Sequence, residues 1–266
     1  MDILKREIAP ISQEAWSEID DTAKEVLTKV LSGRKALKIN GPKGWDYSAV
    51  VEGRLEELDR ASDNKNVGTG VYKVKPLVEA RVSFELNKWE LDNIQRGAKD
   101  IDFTNLELAC EDLALFEENL LYNGYKNGDI EGLCEVAGHR LKLGKEGNDI
   151  LNAIGEGKYT LFSSYGEMPF DLIVSTEVYN RLNVVFEGAH LIKIVEDLIG
   201  GEIIRSKVIK GALLLPHKSD DIEFTIGQDL SIGYERELDS TVQLFVTESL
   251  MLRVLDENKL VVFEEK

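Results

Sequence analysis

Apolar residues recur at intervals of three and four over residues 12–33, where Trp16, Ile19, Ala23, Val26, Leu27 and Val30 form one stripe. Ser12 stands where an N-cap belongs, and Ser32 and Gly33 stand where a helix ends, so the spacing predicts a single helix. Burying such a stripe is worth roughly 1.5–3 kcal/mol per large side chain, which ties the helix to a domain rather than leaving it free. A second helix is predicted over 104–123. Thr104 and Glu107 read as its capping box, Leu106, Cys110, Leu113, Phe116 and Leu120 as its apolar face, and Asn123-Gly124 as its stop.

Between these helices, residues 50–81 change character. The run RASDNKNVGTG at 60–70 holds almost nothing that could enter a core, and strand-like runs at 71–74 and 78–86 follow it. The pattern predicts a long two-stranded arm, and an isolated hairpin is marginal in water, so this arm needs a partner. From 134 to about 227 short helical patterns (148–154, 176–185, 190–199) alternate with strand-like runs (170–175, 203–209, 212–215, 222–226), as in a compact α/β domain inserted into the first. Gly155 and Gly157 read as breaking the helix after 154, each costing about 1 kcal/mol relative to Ala. Beyond 227 only strands follow, at 230–234, 242–254 and 260–263. The fold class is therefore α+β in two domains.

Composition narrows the function. The 266 residues carry 49 acids against 32 bases, a net charge of −17, and 43% are hydrophobic. The acid excess is spread along the chain, which repels phosphate backbones and anionic lipid, so neither nucleic acid nor a membrane is an expected partner. The first ten residues lack the apolar run of a secretory signal, and Cys110 and Cys134 are too few for a disulfide framework; a cytoplasmic protein is expected.

Catalytic signatures are missing from the sequence. Gly68 and Gly70 lack the third glycine and helix of a dinucleotide loop, His139, His190 and His217 are isolated, and no nucleophile–base pairing or metal-ligand spacing stands out. Acid pairs such as Glu117-Glu118 read as solvated faces. Three features exceed background. Arg81 and Trp89, eight residues apart, could hold a phosphate and stack on a flat ligand; the alternative is a core indole with a surface guanidinium. The loop Phe186, Glu187, Gly188, Ala189, His190 could line an opening or be an ordinary helix–helix turn. The segment GQDLSIGYE at 227–235 reads as a plain strand.

Together these segments carry a resemblance. KREIAP (5–10), GRK (33–35), GPKGW (41–45), WELDN with Arg96-Gly97 (89–97), GQDLSIGYE (227–235) and LFVTES (244–249) occur in the order and spacing of the encapsulin shell proteins, also called linocin-like. The resemblance implies a tailed-phage major capsid fold of the Hong Kong 97 type. Its expected parts are the N-terminal helix and start of the peripheral domain (1–49), the extended loop (50–81), the peripheral domain with the long helix (82–133), the axial domain (134–227) and a return to the peripheral domain (228–266).

It further implies a homo-oligomeric icosahedral shell of the smallest class that encloses a cargo enzyme, a ferritin-like iron oxidase or a dye-decolorizing peroxidase, held by the cargo's terminal targeting peptide. The protein is then a container without catalytic residues or a metal site; a bacteriocin or protease-like activity is the competing reading. The cargo groove is expected on the inner wall, with Val26, Val30, Leu230, Ile232 and Tyr234 supplying pockets and Arg34 and Asp229 fixing polarity. Lys38 stands where the family pattern has an acid near that groove. Glu187, Gly188, Ala189 and His190 are expected at a five-fold pore, and Trp89 with Arg81 at a flavin such as flavin mononucleotide.

Overall fold

Residues 2–58 and 67–265 are described by the computed structural model. The elements run, in chain order, α1 (Gln13–Val30), α2 (Gly33–Ala36), β1 (Ile39–Asn40), β2 (Ala49–Leu58), β3 (Thr69–Pro76), β4 (Val78–Asn87), α3 (Lys88–Gln95) and α4 (Thr104–Asn123). There follow α5 (Leu133–Val136), β5 (His139–Leu143), α6 (Gly147–Ser163), β6 (Phe170–Ser175), α7 (Thr176–Leu182), β7 (Val185–Phe186), β8 (Ala189–His190) and α8 (Leu191–Ile199). The chain ends with β9 (Gly200–Ser206), β10 (Ala212–Pro216), β11 (Ile222–Ile226), β12 (Ser231–Glu237), β13 (Thr241–Val254) and β14 (Val261–Glu265).

The Ser12 hydroxyl accepts the Ala15 N–H at 3.2 Å and starts α1 as expected. The start of α4 differs. Thr104 is already the first helical residue, and the Asp102 carboxylate accepts its N–H at 3.0 Å, so the cap comes from two residues earlier than the capping box places it. The fourteen-residue β13 organises the first domain. Its residues 242–247 pair with both β4 and β12, and Leu250 pairs with both β4 and β11. Since a residue has one partner per edge, β4 fills one edge of β13 while β12 and then β11 share the other. Helices α1 and α4 bury Ile19, Ala23, Leu106 and Leu113 against Phe84, Ile232, Leu244 and Val246 of this sheet.

The second sheet has the order β5-β14-β10-β6-β9. Its central strands β6 and β10 are buried at every position, and side chains alternate between two cores. Leu172, Val174 and Leu214 face α6, α7 and α8, whereas Ile173 and Leu213 join Leu121, Tyr122, Phe224 and Leu250 in a core shared with the first domain. Two sheets thus close on one another through α4.

Sheet membership departs from the sequence boundaries in three places. Strand β11, assigned to the inserted domain, pairs with β1 and β13 of the peripheral sheet. Strand β14, assigned to the peripheral return, runs between β5 and β10 of the axial sheet. Residues 78–81, assigned to the arm, pair with β13. The arm itself is the β2–β3 hairpin, which pairs only with itself; of RASDNKNVGTG, residues 60–66 lie outside the described residues. Helix α6 also runs unbroken through Gly155 and Gly157. A Cβ at Gly157 would stand 2.6 Å from the Phe263 ring, so glycine lets the helix press onto β14. The propensity cost is offset by that packing.

Candidate functional site: a groove beside the first helix

Successive turns of α1 and the residue that follows it present Ala23, Leu27 and Leu31 beside Leu230, Ile232 and Val246, and together they line a groove with a cavity volume of about 480 Å3. The segment before α1, which makes a 3-10 turn at Arg6–Ile8, closes one end: Leu4 O accepts the Tyr234 N–H at 2.8 Å, and Arg6 lies 4.0 Å over Trp16 and 2.7 Å from Asp20. Of the expected cargo-groove residues, Arg34, Asp229, Leu230 and Ile232 line this groove. Val26, Val30 and Tyr234 do not; they face the core packing beside it. One step along the chain separates Val26 and Val30 from Leu27 and Leu31; the sequence stripe contains Leu27 without orienting it, and Leu31 lies just past the helix. Lys38 is absent from the lining and pairs with Asp220 at 2.5 Å on the exterior.

Under the groove lies a charged cluster. Arg34 donates to Glu117 at 2.7–3.0 Å through Nε and Nη2, to Asp229 at 2.7 Å and to Glu248 at 3.1 Å. Glu117 and Glu248 are wholly buried. Burial, reinforced by the neighbouring Glu117, pushes the Glu248 carboxyl well above its ordinary value, and burial likewise raises Glu118. Glu118 accepts the N–H groups of Ser32 and Gly33, each at 2.8 Å, and the hydroxyls of Ser32 and Ser206, the last at 3.1 Å. It thereby joins the end of α1, helix α4 and the axial sheet. The reading of Glu117-Glu118 as a solvated face is corrected here. Glu117 follows Leu113 by four residues and precedes Leu120 by three, inside the apolar stripe, and that position is the signal the acid-pair reading passed over.

The other candidates are dispersed. Glu187, Gly188, Ala189 and His190 are exposed and form the tip of the β7–β8 hairpin, not a helix–helix turn; Glu187 (φ 48°) and Gly188 (φ 89°) occupy its two left-handed positions. Trp89 is 70% exposed, which removes the core-indole alternative. Arg81 lies on β4, with six extended residues, about 20 Å, between it and the strand end that precedes Trp89. Arg81 pairs with Glu79 at 3.0 Å and covers the Phe245 ring, while Arg96 is the cation over Trp89, at 5.6 Å. Within one chain Arg81 and Trp89 thus have different partners, the Phe245 ring for the first and Arg96 for the second. His217 bonds the buried Asp171 at 2.6 Å and His139 meets Ser164 at 3.3 Å, but the two contacts are separate and neither links a hydroxyl, an imidazole and a carboxylate in one relay. Among the described residues no group of His, Cys, Asp and Glu is placed to hold a metal ion, and no helix is long and apolar enough to cross a membrane.

Residues 1–251 match the family model described as encapsulating protein for peroxidase. A type 1 encapsulin shell protein of Rhodospirillum rubrum is 33% identical over 264 residues, covering 96% of this chain and 94% of its own. One of Mycolicibacterium paratuberculosis is 31% identical over 252 residues, covering 94% of both. Among solved structures, a virus-like particle from Pyrococcus furiosus aligns with a TM-score of 0.69 at 19% identity over 93% of this chain and 98% of its own. The capsid of Myoviridae phage XM1 aligns at 0.57 and 12% identity over 88% and 90%. These likenesses establish the α+β capsid fold of tailed phages. With nearly its whole length matched by the family model and by relatives about a third identical, the chain belongs to the encapsulin shell proteins.

Proposed function

We propose that this protein is a non-enzymatic container: copies of it close into an icosahedral shell of the smallest class around a cargo enzyme. The observation that carries the reading is the β2–β3 arm, which exposes Val51, Leu55, Val71, Tyr72 and Val74 and has no core of its own. An uncovered apolar ribbon with unpaired edges is stable in water when a neighbouring copy covers it. The relatives named as shell proteins, and the family description that names a peroxidase, support the same reading. Light scattering and negative-stain microscopy of the purified protein test it. Uniform closed particles are expected; a stable monomer overturns it.

The groove beside α1 is the docking place for the cargo's terminal segment. Apolar pockets take alternate side chains of an extended peptide, and Arg34 with Asp229 sets polarity at the floor. A weakly held tail gains avidity when the cargo is itself oligomeric. Ile232 belongs to the domain core, so exposed Thr28, which lines the groove without packing in it, is the position to test. Thr28→Trp fills the groove and is expected to leave particles intact and empty; full loading refutes the assignment.

A further inference from the structure

The groove's charge runs against that of the molecule. In a chain of net charge −17, its lining carries Arg6, Lys24, Arg34 and Lys35 against only Asp20 and Asp229. Arg6 is taken by Asp20, and Arg34 by Glu117, Glu248 and Asp229. Lys24 and Lys35 are exposed and form no ion pair among the described residues. Lys35 is also shared with a second depression of about 390 Å3 between α1 and β9, which contains Lys29, Tyr179, Glu202 and Arg205. There Lys29 is held by Glu25 at 2.5 Å, while Arg205 lies 5.9 Å over the Tyr179 ring without a carboxylate partner among the described residues. Apolar groove and polar depression thus meet at Lys35, and Lys35 and Arg205 are the free cations beyond the meeting point. Among the described residues that line the polar depression Glu202 is the one acid, while Asp20 and Asp229 of the groove are held by Arg6 and Arg34.

We infer that the groove selects a protein tail whose apolar anchors are followed by acidic residues, the anchors filling the floor beside α1 and the acids reaching Lys35 and Arg205. The inference deepens the docking reading and rests on it. A basic tail leaving the groove would meet unpaired cations, with Glu202 the one acid of the depression to receive it and Asp20 and Asp229 already held by arginines. An acidic tail meets two unpaired cations whose repulsion it relieves, and rim charges of this kind set partner choice more than raw affinity. At the strength usual for exposed ion pairs, two of them discriminate about two- to thirtyfold.

Two fluorescent proteins of different colour, one ending in alternating leucine and serine followed by glutamates and the other by lysines, are co-expressed with the full chain. The colour ratio in purified particles is independent of assembly yield. The glutamate tail is expected to be enriched about two- to thirtyfold, and Lys35→Glu with Arg205→Glu is expected to reverse the ratio. Equal loading, or enrichment of the lysine tail, with Thr28→Trp still emptying the particles overturns the charge inference and leaves the docking reading standing. Retention of neither cargo, or full retention of both in Thr28→Trp, overturns the docking reading and the inference with it.

Discussion

Arg34 is surrounded by Glu117, Asp229 and Glu248 at hydrogen-bond distance, so removing its guanidinium leaves buried acids without a counter-charge. Arg34→Met is expected to lower stability by about 3–5 kcal/mol, read as a fall in the thermal midpoint. Glu248 gives a pH effect with a definite sign. Its folded-state value lies above its unfolded one because burial and Glu117 disfavour the carboxylate. The contribution is therefore complete below the ordinary carboxylate value and is lost as pH rises through the elevated one. Glu248→Gln keeps the shape without the titration. It is expected to match the parent near pH ~4 and to unfold at a higher temperature than the parent as pH rises, measured side by side.

At the scale of the element, α6 offers a paired test. Gly157 faces Phe263 so closely that a methyl has no room, whereas a Cβ at Gly155 meets nothing within 4 Å. Gly155→Ala is expected to stabilise the protein by about 1 kcal/mol through helix propensity. Gly157→Ala gains the same propensity and is expected nonetheless to destabilise by about 1–3 kcal/mol through overpacking. Chemical denaturation of both variants checks the opposed signs. The two glycines look alike in sequence, and only the neighbour across the packing interface distinguishes them. The same holds for Val26 and Leu27, adjacent in one stripe and both packed on the core, of which Leu27 also lines the groove.

At the scale of the molecule, the arm and the last strand have opposite roles. Replacing residues 52–73 by a short turn removes an arm whose described strands pair only with each other, so a folded chain that no longer forms particles is expected by circular dichroism and light scattering. Ending the chain before Leu260 removes β14 from between β5 and β10. That deletion exposes two strand edges and strips Val261 and Phe263 from the core, so loss of soluble protein is expected on expression.

The motifs that carry the resemblance acquire a common cause in three dimensions: GRK brings Arg34, GQDLSIGYE brings Asp229 and LFVTES brings Glu248 to one cluster beneath the groove. Their presence is legible in the sequence, as are α1, α4 and most strands, because helical and strand periodicity reflect neighbours a few residues apart. The coreless arm is legible too, from its composition alone. Which sheet receives β11 or β14, that Glu117 and Glu118 are buried, and that Trp89 is exposed with Arg96 over its ring were decided by tertiary structure. The sheet membership and the buried acids depend on contacts between segments far apart in the chain, such as Arg34 with Glu248, 214 positions away, and local patterning fixes a residue's face without naming what that face will meet.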